Sequence, residues 1–233
     1  MADTTHHSFG ADEFRSLGSL AGTLIVMALL LLWPAGKLGW TQAWLYLALF
    51  VAACVVAMVY IWRVDPELFV VRRKPQAGTK PWDLAFVAVT LTSMAAILPV
   101  AGLDFRFSWW QLPVGIIWLG YLVFLGGFWL TAWAQGVNRH FELTIRIQTD
   151  RGHKVVESGP YAMVRHPGYV GGAALGIGTA LALGSAVAVI PALICIVALA
   201  LRTLAEEQTL SEELPGYAEY MRKVRFRWVP GVW

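Results

Sequence analysis

Charge is what this 233-residue chain has least of. Only 14% of its residues are Asp, Glu, Lys or Arg, while 58% are apolar, and its mean hydropathy is +0.59. So few charges cannot coat a soluble globule, which excludes an ordinary cytosolic domain. Cysteine is nearly absent too. Cys54 and Cys195 each sit inside an apolar run. They read as small hydrophobes, which excludes a disulfide scaffold and a thiolate metal site. No metal is expected, and His6 and His7 read as an incidental pair. No prenylation box is expected, since no cysteine lies near the C-terminus. No secretory signal is expected either, because a basic segment ahead of the first apolar run is missing. The net charge of +3 is small. It is a topology signal and does not point to nucleic acid.

Long uncharged runs are what the sequence does have. Four of them cover residues 16–36, 38–62, 84–103 and 107–138. Each supplies the roughly 20 residues needed to cross about 30 Å of hydrocarbon. Trp33, Trp40, Trp62, Trp82, Trp109 and Trp110 lie at their ends, where interfacial belts form. The basic residues alternate between connections. Arg63, Arg72, Arg73, Lys74 and Lys80 fall in the second, and Arg139, Arg146, Arg151, Lys154 and Arg165 follow the fourth run. The first and third connections hold only Lys37 and Arg106. The positive-inside rule then puts both termini, the second connection and the segment after the fourth span in the cytoplasm.

The final uncharged run, 169–201, is long for one span and short for two. Gly184-Ser185 near its middle predicts a helical hairpin with arms 170–183 and 186–201. An arm of about 15 residues reaches only about 22 Å. Gly168, Gly172, Gly176, Ala180 and Gly184 recur every four residues on the first arm. They read as a ridge for close helix packing, or as room made for a ligand. The expected fold is therefore all-α: a polytopic transmembrane helix bundle with four spans, a cytoplasmic catalytic loop and a C-terminal helical hairpin over 170–201. A polar leader covers 1–15, the four spans fill 16–135, and the catalytic region with its tail fills 136–233.

That catalytic region is placed by the segment Gly159 to Gly171, which crowds cationic, aromatic and turn-forming residues directly before the hairpin. Pro167 suits the first turn of a helix, which puts His166 near its N-cap. Arg165 carries a fixed charge able to grip a carboxylate in two places. Tyr161 and Tyr169 can pack on a flat ring or donate hydrogen bonds. Singly, Arg165 reads as a positive-inside residue and His166 as a cap; the combination points to a site. Beyond the hairpin come Arg202, Glu206 and Glu207. Arg202 and Glu206 stand i, i+4 and can simply pair. Alternatively one glutamate turns inward to bind a ribose diol or an amino group.

An ordered string follows: Asn138 with Phe141, then 153–161 (HKVVESGPY), then 165–171 (RHPGYVG), then Glu206-Glu207, Tyr217, Tyr220 and a basic tail. This string resembles the isoprenylcysteine carboxyl methyltransferase family, within the wider group of integral-membrane methyltransferases that includes phospholipid methyltransferases. The resemblance covers 138–233. It implies S-adenosylmethionine as cofactor, bound on the cytosolic side. It implies His153, Gly159, Tyr161, Arg165, His166, Tyr169, Glu206 and Glu207 as cofactor contacts. The implied partner is a lipidic or prenylated acceptor that stays in the bilayer.

Methyl transfer from a sulfonium needs alignment more than acid–base help. A carboxylate acceptor is already ionised at neutral pH, and Arg202 or Arg139 could orient it. An amine or thiol acceptor would need a base, for which His166 or a glutamate such as Glu206 is available. An apolar acceptor is expected to enter between the fourth span and the hairpin, past Gly172 and Gly176. Two readings of other kinds stand beside this one. A membrane reductase of the sterol-reductase type would need a basic cluster for the 2′-phosphate of NADPH. A non-enzymatic channel would need charges lining its spans, which the runs lack.

Overall fold

A computed structural model describes residues 11–64 and 78–233. The leader up to residue 10, with His6 and His7, and the basic run Arg72-Arg73-Lys74 lie outside the described residues. The described chain forms α1 (Ala11–Ala35), α2 (Thr41–Val64), α3 (Pro81–Phe107), α4 (Val114–Val137), α5 (Pro167–Ala182), α6 (Val189–Glu213) and the short α7 (Tyr217–Lys223). Helix α1 starts at Ala11, several residues before the first uncharged run. Five helices are long and apolar enough to cross a membrane: α1, α2, α3, α4 and α6. The described residues are all-helical, and the chain is an integral membrane protein.

Prolines set several helix starts. Pro81 opens α3 after an extended Lys80, Pro113 precedes α4 in extended geometry, and Pro167 opens α5 behind His166. A missing N–H is harmless in a first turn. Helix α6 ends where Leu214, extended before Pro215, meets Gly216 at φ +87°.

The hairpin differs from its expected form. Its first arm, α5, has 16 residues and reaches about 24 Å. Its second arm does not stop at Leu201: α6 runs 25 residues, to Glu213. The expectation placed Arg202, Glu206 and Glu207 beyond the arm. They end the apolar stretch only, because buried Arg202 and Glu207 find ion-pair partners and the helix continues past them. Four spans plus two short arms thus become five long helices with α5 as the one short member.

The connections sort to two ends. At one end Leu112 N–H donates to Gly184 O at 2.8 Å and Ala186 N–H to Trp110 O at 3.1 Å, which ties the α3–α4 and α5–α6 loops together. Gly184 sits at φ +76°, a conformation that favours glycine. Buried Asp104 locks this end by accepting from Trp110 N–H at 2.8 Å and from Ser185 Oγ at 2.5 Å. The 138–166 loop, the start of α3 and the tail gather at the opposite end. Trp40 departs from the expected interfacial belt. It is buried and stacks on Phe105 with centroids 4.5 Å apart, whereas Trp33, Trp62, Trp109 and Trp110 are exposed.

The tightest helix contact joins α4 to α5. It uses Gly171 and Gly178 against Gly127 and Phe124. A Cβ on Gly127 would lie 2.8 Å from Gly171 O, so the two backbones meet directly. The four-residue ridge does not form this seam. A Cβ on Gly172 or Gly176 would meet Leu199 at 3.4 Å or Met94 at 3.6 Å, which are ordinary side-chain contacts.

Candidate active site

The 138–166 loop is shaped by one buried amide. Gln148 donates to His140 O at 2.8 Å and accepts from Arg151 at 3.2 Å. His153 N–H donates to Gln148 O at 3.2 Å, and Gln148 N–H donates to His153 Nδ1 at 3.3 Å. The first brace comes from Arg146, whose guanidinium grips Glu142 at 2.8 and 3.0 Å and Asp150 at 2.8 Å. Backbone polar groups of a loop with no ladder need such partners.

Next, the loop is hung from two helices. Asp83, fully buried in the first turn of α3, receives Arg202 of α6 through two bonds, at 2.7 and 2.9 Å. It also accepts Ile145 N–H at 2.8 Å. Arg202 donates onward to Leu143 O at 2.6 Å. The guanidinium carbon stands 5.4 Å from the centre of the Tyr169 ring, and Tyr169 in turn stacks on His166 at 5.5 Å. Burying such an ion pair is tolerable only when both ends are well bonded.

The third brace is Glu207, buried on α6. It accepts Arg165 Nε at 2.5 Å and Arg227 Nε at 2.8 Å, and lies 3.1 Å from His166 Nε2. Arg165 also donates to Val224 O and Arg225 O, both at 2.8 Å. Its two-point grip therefore closes on the protein's own Glu207 and tail. Further backbone bonds pin the tail, from Arg165 N–H to Phe226 O and from His166 N–H to Arg227 O, both at 3.0 Å.

These braces enclose a cavity with about 840 Å³ of empty space, part of it open to solvent. Its wall includes His153, Tyr161, Arg165, His166, Tyr169, Arg202 and Glu206. The other expected residues stand elsewhere. Gly159, at φ +59°, packs behind the wall on Val137 and Trp133 of α4. Glu207 is spent on the tail brace, and Arg139 is exposed and off the wall. Nor is Arg202 a freely swinging cation, because Asp83 holds it.

The sequence reading missed Asp83, His140 and Gln148, and it named Tyr217 in the motif string without a role. Asp83 has one visible signal: a carboxylate directly ahead of an uncharged run, in a helix first turn. His140 and His153 face each other with ring centres 4.4 Å apart. Burial, the second imidazole and Arg146 hold His153 down at about 4, so it is neutral at neutral pH. Burial also lowers His140. With Gln148 N–H pointing at Nδ1 of His153, the ring proton sits on Nε2, assigned from that bond.

Two polar atoms on the wall are buried without a hydrogen-bond partner: Glu206 Oε2 and Tyr217 OH. The other phenols are engaged. Tyr161 accepts from Asn138 Nδ2 at 3.2 Å, and Tyr220 donates to Tyr161 O at 2.7 Å. Unsatisfied buried polar atoms are rare in folded proteins and mark places where a water, an ion or a ligand completes the bonding.

Residues 116–215 match the family model for phospholipid methyltransferase. That is less than half of the chain, but it holds most of α4, the whole 138–166 loop, α5 and α6. It thus contains most of the cavity wall and all three braces' loop and α6 residues. The likeness is to integral-membrane methyltransferases, a group that takes in the isoprenylcysteine methyltransferase-like proteins. No curated protein matches the chain.

Proposed function

We propose that this chain is an integral-membrane methyltransferase that binds S-adenosylmethionine in the cavity and methylates a carboxylate on a lipidic or prenylated acceptor. The observation that carries the reading is a cavity with two unpartnered buried polar atoms, built largely from the stretch that matches the methyltransferase family, with Tyr217 and Tyr220 added from just beyond it. The residues fit the cofactor. An aromatic wall of Phe141, Tyr161, Tyr169 and Tyr220 suits a purine and a cationic centre.

When bound, the cofactor supplies an electrophilic methyl on sulfur and leaves as S-adenosylhomocysteine. The protein's part is positioning. Tyr161, His166 and Tyr169 form the wall, while Arg165 and Glu207 hold the tail against it. Arg202, fixed by Asp83, is the cation placed to face an acceptor carboxylate. Arg139, exposed and off the wall, takes no role. His153 offers no free lone pair at Nδ1, and His166 is bound by Glu207. Neither is poised as a base, which favours an acceptor that is already ionised. In orientation, both termini and the 138–166 loop face the cytoplasm, on the evidence of the basic-residue asymmetry. The acceptor's apolar part stays in the bilayer.

Calorimetry with S-adenosylmethionine, S-adenosylhomocysteine and NADPH on the detergent-purified chain tests the cofactor. Binding of the first two and not the third is expected; NADPH binding alone would overturn the reading. Transfer of labelled methyl to a membrane extract tests the acceptor. Base-labile label marks a methyl ester. Base-stable label would overturn the carboxylate in favour of an amine headgroup, the second reading, which the phospholipid methyltransferase match favours.

A further inference from the structure

A second cavity lies deeper in the bundle, and it differs from the first in kind. It holds about 1200 Å³ of empty space, part of it open to the surroundings, and α1 to α5 all contribute to its wall. No charged residue lines it. Its hydroxyls bond within the wall. Thr23 donates to Ser19 O at 2.9 Å, and Thr179 donates to Leu175 O at 2.7 Å. Tyr46 OH, 3.2 Å from Thr179 Oγ1, is left to donate to it. No buried side-chain atom on this wall lacks a partner among the described residues, whereas the first cavity has two. Such a wall offers nothing to a headgroup or an ion. Apolar side chains around a void forfeit dispersion contacts until something apolar fills it.

Depth ties the two cavities together. On α3, Asp83 holds Arg202 at the first cavity, while Leu91, Met94, Ala95 and Leu98 line the second. Their spacing is that of one helix face, and they lie about 12 to 22 Å beyond Asp83 at about 1.5 Å per residue. On α5, Gly168 lines the first cavity, and Leu175 and Thr179 line the second. They lie about 10 to 16 Å beyond Gly168, on the same side of the helix. Gly172 stands between them, and a Cβ there would meet only the end of Leu199, at 3.4 Å. Both helices start at the end of the bundle that holds the first cavity, so both give the same offset. A slender chain can pass over the glycine from one wall to the other.

We propose that the second cavity takes the hydrocarbon chain of the acceptor. The chain runs from Arg202 along this side of α5, at bilayer depth but inside the bundle. What sits at its head end rests on the proposed methyl transfer. The arrangement narrows the substrate class to carboxylates with a single long chain. A chain that ends within about 10 Å of the head never reaches the second wall. Beyond that point each methylene that enters the cavity should tighten binding about fourfold.

The test uses the full chain in phosphatidylcholine vesicles and two photoreactive hexadecanoic acids. One carries a diazirine beside the carboxylate, the other at the chain end. The chain-end probe should label cavity residues on α1 and α3 such as Met27 and Met94. The head-end probe should label the first cavity's wall, at Tyr169 or Leu210. Excess unlabelled hexadecanoic acid should suppress both. Gly22 lines the second cavity with nothing within 4 Å of an added Cβ, so Gly22→Leu should fold, fill the space and cut the chain-end labelling several-fold. Its affinity for S-adenosylhomocysteine should equal that of the wild type. Chain-end labelling confined to exposed side chains such as Ile25 and Leu122 would overturn the proposal without any variant. Equal labelling of the second cavity by both probes, the mark of a bilayer lipid lodged there in no fixed register, would also overturn it. So would undiminished labelling of Gly22→Leu. If the ordered labelling is found but S-adenosylhomocysteine does not bind the wild type, the methyltransferase reading falls and the chain site stands.

Discussion

Helix α3 buries one aspartate at each end of the bundle, and the two are used differently. Asp104 accepts only neutral donors, the Trp110 N–H and the Ser185 hydroxyl. Asp83 accepts a guanidinium from a helix 119 residues away and a backbone N–H from the loop. The first end is a knot of backbone and short side chains, closed by Gly184. The second is held by long charged side chains that leave a cavity between them. Neutral contacts can close an end completely. Ion pairs between distant elements can hold walls apart, because each long side chain spans a gap that backbone contact would have to fill.

The comparison breaks most visibly at Asp83. Asp83→Ala leaves Arg202 buried without its carboxylate, which costs about 3–5 kcal/mol. Thermal unfolding in detergent should show a large drop, and S-adenosylhomocysteine binding should fall with it because Ile145 and Arg202 line the cavity. Asp104→Asn keeps one acceptor oxygen, for the Trp110 N–H, and turns the other into an NH2 group facing the Ser185 hydroxyl, which should cost only about 1–2 kcal/mol. Cofactor affinity should then be unchanged, since this end is remote from the wall. A variant of Asp104 that lost cofactor binding at constant stability would erase the distinction between the ends.

Small residues sharpen the same contrast along α5. Gly178 faces the backbone of Phe124, so an added methyl has nowhere to go. Gly178→Ala should cost about 1–3 kcal/mol from overpacking. Gly176 faces the flexible end of Met94 at ordinary contact distance. Gly176→Ala should be neutral or stabilise by roughly 0.5–1 kcal/mol, because alanine suits a helix interior better than glycine. Melting temperatures of the two variants should therefore move in opposite directions. Equal losses would restore the four-residue ridge as the packing seam.

What could be read from the sequence was local. The turn and cap chemistry of Arg165-His166-Pro167 is written in adjacent residues, and the structure starts α5 at Pro167. The long uncharged runs likewise mark α1 to α4. What escaped was every pairing across distance. Asp83 with Arg202 and Arg165 with Glu207 join residues 119 and 42 positions apart. Arg202 and Glu207 looked like a helix boundary because their neutralising partners lie elsewhere in the chain. The α5 seam was misread by its repeat: Gly168, Gly172 and Gly176 recur every fourth residue, whereas Gly171 and Gly178 stand seven apart on another face, and only the partner helix chooses between them.

The smallest expected effect lies in the paired histidines, which test whether the loop's neutral hub resembles the Asp104 knot more than the ion pairs around it. His153 is held at about 4, below the ordinary 6.5, by burial first and then by His140 and Arg146. Between those two values the unfolded chain binds a proton that the folded loop refuses. Stability therefore falls as pH drops from about 6.5 toward 4, and the contribution is lost below that range. His153→Gln keeps a polar side chain and removes the titration. Melting curves between pH 7 and pH 4.5 should be less pH-dependent in this variant than in the wild type, with His140 leaving a residual slope of the same sign because burial lowers it too. At pH 7.5 the two proteins should differ little, since His153 is neutral there and its one accepted bond, from Gln148 N–H at 3.3 Å, is long. An unchanged slope would mean that His153 is protonated in the folded loop, and the hub would then belong with the charged braces.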